Sequence, residues 1–209
     1  MRGSLGLRRF GAAAVCALWL LPALQWPVAA AQWRASAADA KPPTAILIVA
    51  KDPLSDPDFG GSVVLVMNDL GPAPIGLIIN RPTRVAVARL FPDLKRLGKL
   101  PDKVYFGGPV ELDSVWFLFR AAAPPEHAVK ACDGVYVSAD RKLLLELLAR
   151  DKPLQGLKIF IGHAGWAPGQ LQAEIARGDW KLERADSNAI FNGKSDHPWP
   201  SSQGPSSRI

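Results

Sequence analysis

Short apolar runs bounded by Pro, Gly and Asp fill the middle of the chain. Their residues are mostly Ile, Val and Leu, which favour β-strands, whereas Pro, Gly and Asp favour turns. Each run therefore predicts a strand. The predicted strands are 44–50, 62–67, 75–80, 104–106, 115–120, 135–138 and 157–161.

The most regular helical pattern covers residues 141–150, a Leu-rich run with Ser138 or Asp140 placed to cap its start. Arg150 is favourable at its negative end. A weaker helix is predicted over 85–91. Three strands precede the first helix and several more precede the last, so helices and strands do not alternate regularly. This order favours a mixed α+β domain over a doubly wound parallel sheet.

A second well-defined helix is predicted over 170–177. Leu171 and Ile175 are four residues apart and therefore share one helix face. Gly178 follows at the position where helices commonly end in a left-handed glycine. No internal repeat is visible.

The N-terminal residues 1–31 have the pattern of an export signal. Three arginines precede an uncharged Ala- and Leu-rich stretch, 10–24, and Ala29, Ala30 and Ala31 supply the small residues of a cleavage site. The alternative is an uncleaved anchor, since 10–31 approaches the ~20 residues that span a bilayer. We therefore predict a periplasmic or secreted protein, or one anchored in the inner membrane by 10–31. Membrane contact is expected only in the second case.

The remainder divides into a linker, 32–43, a domain, 44–193, and a tail, 194–209, rich in Ser, Pro and Gly and predicted to be disordered. The chain has 209 residues, 48% hydrophobic and 21% charged, which is typical of a packed globular domain. The formal charge of +6 falls to +3 without the three arginines of the signal. That balance is too mild to indicate a nucleic-acid-binding surface, and no direct nucleic-acid binding is expected.

Catalytic and metal-binding patterns are missing from the sequence. There is no Gly-x-Ser-x-Gly elbow, and His127, His163 and His197 are scattered, without metal-ligand spacing. After signal removal Cys132 is the sole cysteine, so no internal disulfide can form, and a small apolar filler is its expected role. We predict no catalytic residue, no metal site and no cofactor.

The Gly-rich junction 162–169 joins a predicted strand to a predicted helix. Its glycines are spaced as neither a dinucleotide fingerprint nor a P-loop. One interpretation is an anion site at the helix N-terminus, formed by Gly162, His163, Trp166, Gly169 and Gln170. The other is close packing of helix on strand, with Trp166 filling the core.

Two other turns allow the same choice between binding and packing. Pro82 holds Arg81 extended after Asn80, so that Arg81 could bind a carboxylate or phosphate, or make a structural ion pair. Gly107 and Gly108 form a rigid turn beside another strand. Together with the junction residues, these four complete the candidate binding residues.

These segments resemble the bacterial YqgE/AlgH family over nearly all of 45–199. The matching segments are 56–59 (DPDF), 76–82 (GLIINRP), 105–110 (YFGGPV), 133–136 (DGVY) and 165–171 (GWAPGQL), with Glu174, Ile175 and Trp180. The resemblance implies a single α+β domain in which a mixed, branched β-sheet curls into a pseudo-barrel with a few packed helices. It implies no established activity or cofactor, and a label as a transcriptional regulator without a recognisable DNA-binding motif.

The chain departs from the family pattern at His163, where Tyr is usual, at Gln172, where Glu is typical, and at Asn68-Asp69, near a usual His. The export signal is a larger departure, because typical members look cytoplasmic. Three hypotheses follow. The first is a non-enzymatic binding or interaction domain of the bacterial envelope, whose partner is a protein or a small anion. The second is a cytoplasmic regulator acting through a protein partner, and the third is an enzyme or anion-binding protein using Arg81 and the 162–169 junction.

Overall fold

In the residues that the structure describes, a ten-stranded, mostly antiparallel sheet carries the fold. The computed structural model describes residues 45–51, 59–68, 70 and 72–193, apart from the side chain of Lys99. The predicted signal, linker and tail lie outside these residues. The strands are β1 (Ala45–Ala50), β2 (Val63–Met67), β3 (Ile75–Ile78), β4 (Pro82–Ala86), β5 (Lys103–Phe106), β6 (Val110–Arg120), β7 (Val129–Cys132), β8 (Val135–Ser138), β9 (Leu157–Gly165) and β10 (Trp180–Arg184).

The sheet is branched at β9. Its main path runs β10-β1-β2-β3-β9-β6-β8-β7, and β5, which also pairs with β4, joins β9 as a third neighbour. The β5–β9 pairing is parallel, at Tyr105 with Phe160 and Phe106 with Ile161. Farther along β9, Gly165 and Ala164 pair with β3. Among the described strands, the first three residues of β9 pair with β6 alone, which leaves a gap beside them.

Four helices pack on this sheet in the described residues: α1 (Val87–Leu90), α2 (Arg141–Leu148), α3 (Gln170–Arg177) and α4 (Ser187–Asn192). A short 3-10 helix covers Lys95–Lys99. Asp140 caps α2, where its carboxylate accepts from the backbone N–H of Leu143 at 2.7 Å. Gly178 ends α3 in the left-handed conformation, at φ +86°. No helix in this part of the chain is long and apolar enough to cross a membrane.

The core explains why the apolar runs are continuous instead of alternating. Leu47 and Leu65 pack with Phe160 in a cluster inside the curl of the sheet, which α4 also joins. Their neighbours Ile48 and Val64 point to the opposite face and pack in another cluster, which α3 covers. A third cluster lies between α2 and the outer face of β6, β8 and β9. Strands buried on both faces read as unbroken apolar sequence.

The sheet is thus a curled half-barrel, and the expected α+β class with a branched sheet is confirmed. The helix over 170–177 has the predicted bounds, whereas the one predicted over 85–91 shortens to α1 because β4 occupies its first two residues. Residues 157–161 are only the first part of β9, which continues to Gly165. The sequence patterns missed β4, β7, β10 and α4 altogether.

Candidate functional site

A cavity of about 570 Å³ opens beside the first residues of β9, in the gap left by β5. We call it the Lys158 cleft. Its walls come from β4 and α1, from both ends of β5, and from the turn before β9 and the end of α4. Its lining is Pro82, Val87, Pro101, Asp102, Lys103, Tyr105, Arg120, Leu154, Gln155, Gly156, Leu157, Lys158, Ile159, Phe191 and Asn192. The volume lies in the range of small-molecule sites.

Lys158 interrupts the apolar run 157–161 of β9 at this cleft. Its Nζ donates to the carbonyl oxygen of Ile79 at 3.1 Å and lies 4.5 Å from the centre of the Tyr105 ring. No carboxylate of the described residues lies within 4.0 Å of Nζ. Burial without a counter-charge lowers the pKa of Lys158 from 10.5 to about 8. The amine is therefore an unusually easily deprotonated lysine.

Arg120, the last residue of β6, is held in a defined position at the same cleft. Its Nε donates to the hydroxyl of Ser187 at 2.8 Å, and its guanidinium carbon lies 4.8 Å from the centre of the Phe191 ring. Gly156 has φ +67° and lies under the Arg120 side chain, whose carbons would come within 3.2 to 3.3 Å of a β-carbon there. Glycine at 156 thus gives both the turn and the room that Arg120 needs.

Positive charge predominates around the cleft. An adjoining depression shares Arg120, Gln155 and Gly156 with it and adds Arg150, Asp151 and Lys152. The described lining of the two together carries five cationic side chains, Lys103, Arg120, Arg150, Lys152 and Lys158, against the two carboxylates of Asp102 and Asp151. Tyr105 adds no negative charge at neutral pH, since burial and then Asp102 raise its pKa. The site is suited to an anion.

Asn80 and Arg81, predicted as binding residues, lie in the turn between β3 and β4 and contact the loop 59–62 that leads into β2. The Asn80 side chain accepts from the N–H of Val63 and donates to the carbonyl of Gly61, both at 2.9 Å. Arg81 donates to the Ser62 hydroxyl at 2.8 Å. Both side chains therefore hold the β2 entry in place, and neither lines the Lys158 cleft.

The structure brings Gly107 and Gly108 against Gly162. A β-carbon on either Gly107 or Gly108 would overlap the backbone of residues 162–164, and one on Gly162 would overlap the carbonyl of Gly108. The close contact at Gly162 therefore joins the turn between β5 and β6 to β9, whereas the packing expected of the junction was between a helix and a strand. Gly169, in contrast, begins α3 at φ +81°, with nothing within 4 Å of a β-carbon.

His163 lies on β9 next to this contact and is 8% exposed. Its ring packs edge-on against Trp116, with centroids 5.8 Å apart, and Nδ1 is 3.9 Å from a carboxylate oxygen of Glu111. Neither His163 Nδ1 nor Trp116 Nε1 has a hydrogen-bond partner in the described part of the chain. Glu111 itself has φ +49°, an uncommon conformation for a residue with a side chain.

Trp166 and Gln170 belong to a separate network centred on Glu174. The indole nitrogens of Trp166 and Trp180 both donate to the same Glu174 oxygen, at 3.0 and 2.9 Å. Gln170 donates to the other oxygen and accepts from the N–H of Ala167. Phe59 packs against both indoles. Trp166 thus fills the core under α3, which agrees with the packing interpretation of the junction and not with an anion site at this residue.

The nine predicted binding residues thus occupy three places and none of them lines the Lys158 cleft. Sequence reasoning missed Lys158 and Arg120. The available signal was a single lysine between Leu157 and Ile159 in an apolar run. In the described residues no group of three His, Cys, Asp or Glu could hold a metal ion. Burial raises the pKa of Cys132 to about 11, so its thiol stays protonated at neutral pH.

The fold and the cleft define a class of protein: a small α+β domain with a curled, branched sheet and a basic cavity where the sheet divides. A family model described as AlgH-like (DUF179) matches residues 46–203. A UPF0301 protein of Anaeromyxobacter sp. strain Fw109-5 is 35% identical over 164 residues, which cover 73% of this chain and 82% of the relative. A UPF0301 protein of Mycobacterium leprae is 32% identical over 159 residues, covering 73% and 77%.

Two solved structures have the same fold. Protein DIP2367 of Corynebacterium diphtheriae aligns with a TM-score of 0.57 and 28% identity, covering 72% of this chain and 80% of that one. The AlgH protein of Pseudomonas aeruginosa, a solution structure, also aligns with a TM-score of 0.57, at 24% identity, covering 76% and 85%. The chain belongs to the AlgH-like (UPF0301) family, as its sequence motifs indicated.

Proposed function

We propose that this protein is a non-enzymatic binding domain of the bacterial envelope and that its ligand is a small anion held in the Lys158 cleft. The observation that carries the proposal is the excess of positive charge around a cavity of metabolite size, five cations against two carboxylates. Charge-assisted hydrogen bonds from Arg and Lys are the strongest that proteins offer an anion.

The two best-placed cations support this assignment. Neither Arg120 nor Lys158 makes an ion pair with a carboxylate of the described residues, so an incoming anion would not have to displace one. Contacts to Ser187 and Phe191 orient Arg120, and the carbonyl of Ile79 orients Lys158. Side chains held in position beforehand lose less conformational entropy on binding.

A thermal-shift screen of the full chain with phosphate and small carboxylates tests the ligand class. A ligand present at about 100 times its Kd should add ~2.7 kcal/mol of stability. We expect the shift to be lost in Arg120→Ala and kept in Arg81→Ala, because only Arg120 lines the cleft. The reverse pattern would instead support an anion site at Arg81 and the 162–169 junction.

The location in the envelope rests on the N-terminal pattern of arginines, apolar stretch and small residues. Fractionation of cells carrying a C-terminally tagged chain tests it. We expect a shortened protein in the periplasm or medium, and full-length protein in the membrane fraction would indicate an uncleaved anchor. Recovery of full-length protein in the cytoplasm would overturn the export claim and favour a regulator acting through a protein partner.

A further inference from the structure

Lys158 has a feature that anion binding alone does not require. An anion site is best served by a lysine that stays charged, yet this amine lies in the apolar run 157–161 of β9 with a backbone carbonyl as its hydrogen-bond acceptor. In the described residues no carboxylate is near enough to hold it in the ammonium form. Burial at this position therefore makes the neutral amine, which is the nucleophilic form, easier to reach than in an exposed lysine, while the ammonium form still predominates at pH 7.

The other groups at the cleft do not cancel the effect of burial on the Lys158 pKa. The titratable and charged side chains that line it with Lys158 are Asp102, Lys103, Tyr105 and Arg120. Two of these are cations, and the one carboxylate, that of Asp102, lies more than 4.0 Å from Nζ, so burial alone lowers the pKa of Lys158. The Tyr105 ring under Nζ attracts a cation, but its raised pKa keeps the phenol uncharged.

We propose that Lys158 forms a reversible imine with a small carbonyl compound that carries a carboxylate, such as a 2-oxo acid. The inference rests on the proposed anion-binding function, because Arg120 and Lys103 would hold the carboxylate while Nζ meets the carbonyl carbon. It names the ligand class more narrowly, as carbonyl-bearing anions bound covalently and reversibly.

The chemistry needs no group that the cleft lacks. The Nζ lone pair attacks the carbonyl carbon to form a C–N bond, and the carbonyl π electrons move to oxygen. After proton transfer from nitrogen to oxygen, the carbinolamine loses water. The two amine hydrogens leave with the former carbonyl oxygen, and a C=N double bond remains. No oxidant or reductant takes part, and the addition of water reverses the reaction.

An exposed lysine, Lys142, is the reference against which the rate of imine formation at Lys158 is compared. Lys142, on α2, has a side chain 85% exposed and pairs only loosely with Glu146, at 4.0 Å. With a pKa of about 8, Lys158 has a free-base fraction at pH 7 on the order of 100-fold above that of an ordinary lysine. A less basic amine is also a weaker nucleophile, so we expect roughly tenfold faster imine formation.

The test is trapping with cyanoborohydride followed by peptide mass spectrometry. The full chain is incubated at pH 7 with pyruvate and cyanoborohydride, which reduces an imine to a stable secondary amine. We expect the adduct at Lys158 to form at least about tenfold faster than at Lys142 in the same sample. Excess lactate, which keeps the carboxylate but lacks the carbonyl, should slow it, and so should Arg120→Ala. Lys158→Arg should remove the fast site, whereas Lys142→Arg should not.

Other outcomes overturn the inference and separate it from the proposed function. If lactate raises the melting temperature through Arg120 but Lys158 is labelled no faster than Lys142, the imine is refuted and the anion site stands. If lactate gives no shift and Lys158 is not labelled, both are refuted. Fast labelling that neither lactate nor Arg120→Ala slows would refute the requirement for a carboxylate.

Discussion

Gly108 and Gly162 pack backbone against backbone, so closely that a β-carbon on Gly162 would overlap the carbonyl oxygen of Gly108 and lie 3.0 Å from that of Val110. This contact lies where β5 turns into β6 against β9, next to the branch in the sheet. Two glycine-containing segments far apart in sequence therefore serve one purpose, which is to let the turn between β5 and β6 approach β9 more closely than side chains allow.

Gly162→Ala should destabilise the protein strongly, because the new methyl group meets backbone atoms that cannot move aside and φ is +67°. Gly169→Ala is the matched control, since its φ is +81° but nothing lies within 4 Å of its β-carbon. The control isolates the backbone strain, about 1–2 kcal/mol. We expect Gly162→Ala to cost at least about 1–3 kcal/mol more, measured by urea unfolding. Equal costs would show that the turn between β5 and β6 can move away from β9 freely.

Glu174→Ala should destabilise the protein through the loss of buried hydrogen bonds. The indole N–H groups of Trp166 and Trp180 share one Glu174 oxygen, and both residues are at most 5% exposed. Leaving the two donors unpaired should cost about 2–4 kcal/mol. Glu146→Ala, which breaks only the exposed 4.0 Å pair with Lys142, should cost less than about 0.5 kcal/mol. Chemical denaturation of both variants measures the two losses of unfolding free energy. Similar losses would mean that water accepts the indole hydrogen bonds in place of Glu174.

Lys158→Met should stabilise the protein at neutral pH. Folding lowers the Lys158 pKa from 10.5 to about 8, so the unfolded chain binds more protons between these values and wild-type stability rises with pH across that window. Below pH 8 the full cost of burying the ammonium applies, about 3 kcal/mol. Loss of the bond to Ile79 and of the Tyr105 contact offsets part of the gain, leaving about 1–2 kcal/mol.

Melting temperatures from pH 7 to 10.5 measure this effect. The advantage of Lys158→Met over wild type should shrink as the pH rises through 8 and vanish or reverse near 10.5. Lys142→Met, at an exposed site, should show no such trend. A constant difference at every pH would show that Lys158 titrates normally.

Glu111→Gly should raise stability, because glycine adopts φ +49° without the steric cost that Glu111 bears. Relief of the left-handed strain is worth about 1–2 kcal/mol, and the greater freedom of glycine in the unfolded chain takes back about 0.4–1 kcal/mol, so the expected net gain is up to about 1 kcal/mol. The loose approach of Glu111 to His163, at 3.9 Å, offsets little of it. Glu111→Gln keeps the strain and removes the charge, so it serves as the control. The register of β6 against β9 shifts between Val110 and Val115, and a loss of stability in Glu111→Gly alone would assign a structural role to the conformation of Glu111 in this stretch.

The local pattern of the chain was enough to place the elements whose signals lie within a few residues. Helix α3 begins and ends as predicted, because its signals lie in one short segment. Leu171 and Ile175 have helical spacing, and Gly178 ends the helix. In β7 and β10 only one residue each, Ala131 and Trp180, is buried, so no apolar run marked these strands. The glycines at 107–108 and in the 162–169 junction were recognisable from the sequence as positions of unusual backbone conformation. The sequence did not show that these two segments contact each other.

The sequence by itself therefore determined the α+β class, most of the buried strands and the family, because these depend on short-range pattern. Only the tertiary structure decided where a cavity forms. The Lys158 cleft exists because β5 reaches β9 only from Phe160 onward and because α4 brings Phe191 back to Arg120. Both are contacts between residues distant in sequence, and no local propensity encodes them. Lys158 is an ordinary lysine in the sequence, and the fold alone removes its charge partners and much of its water.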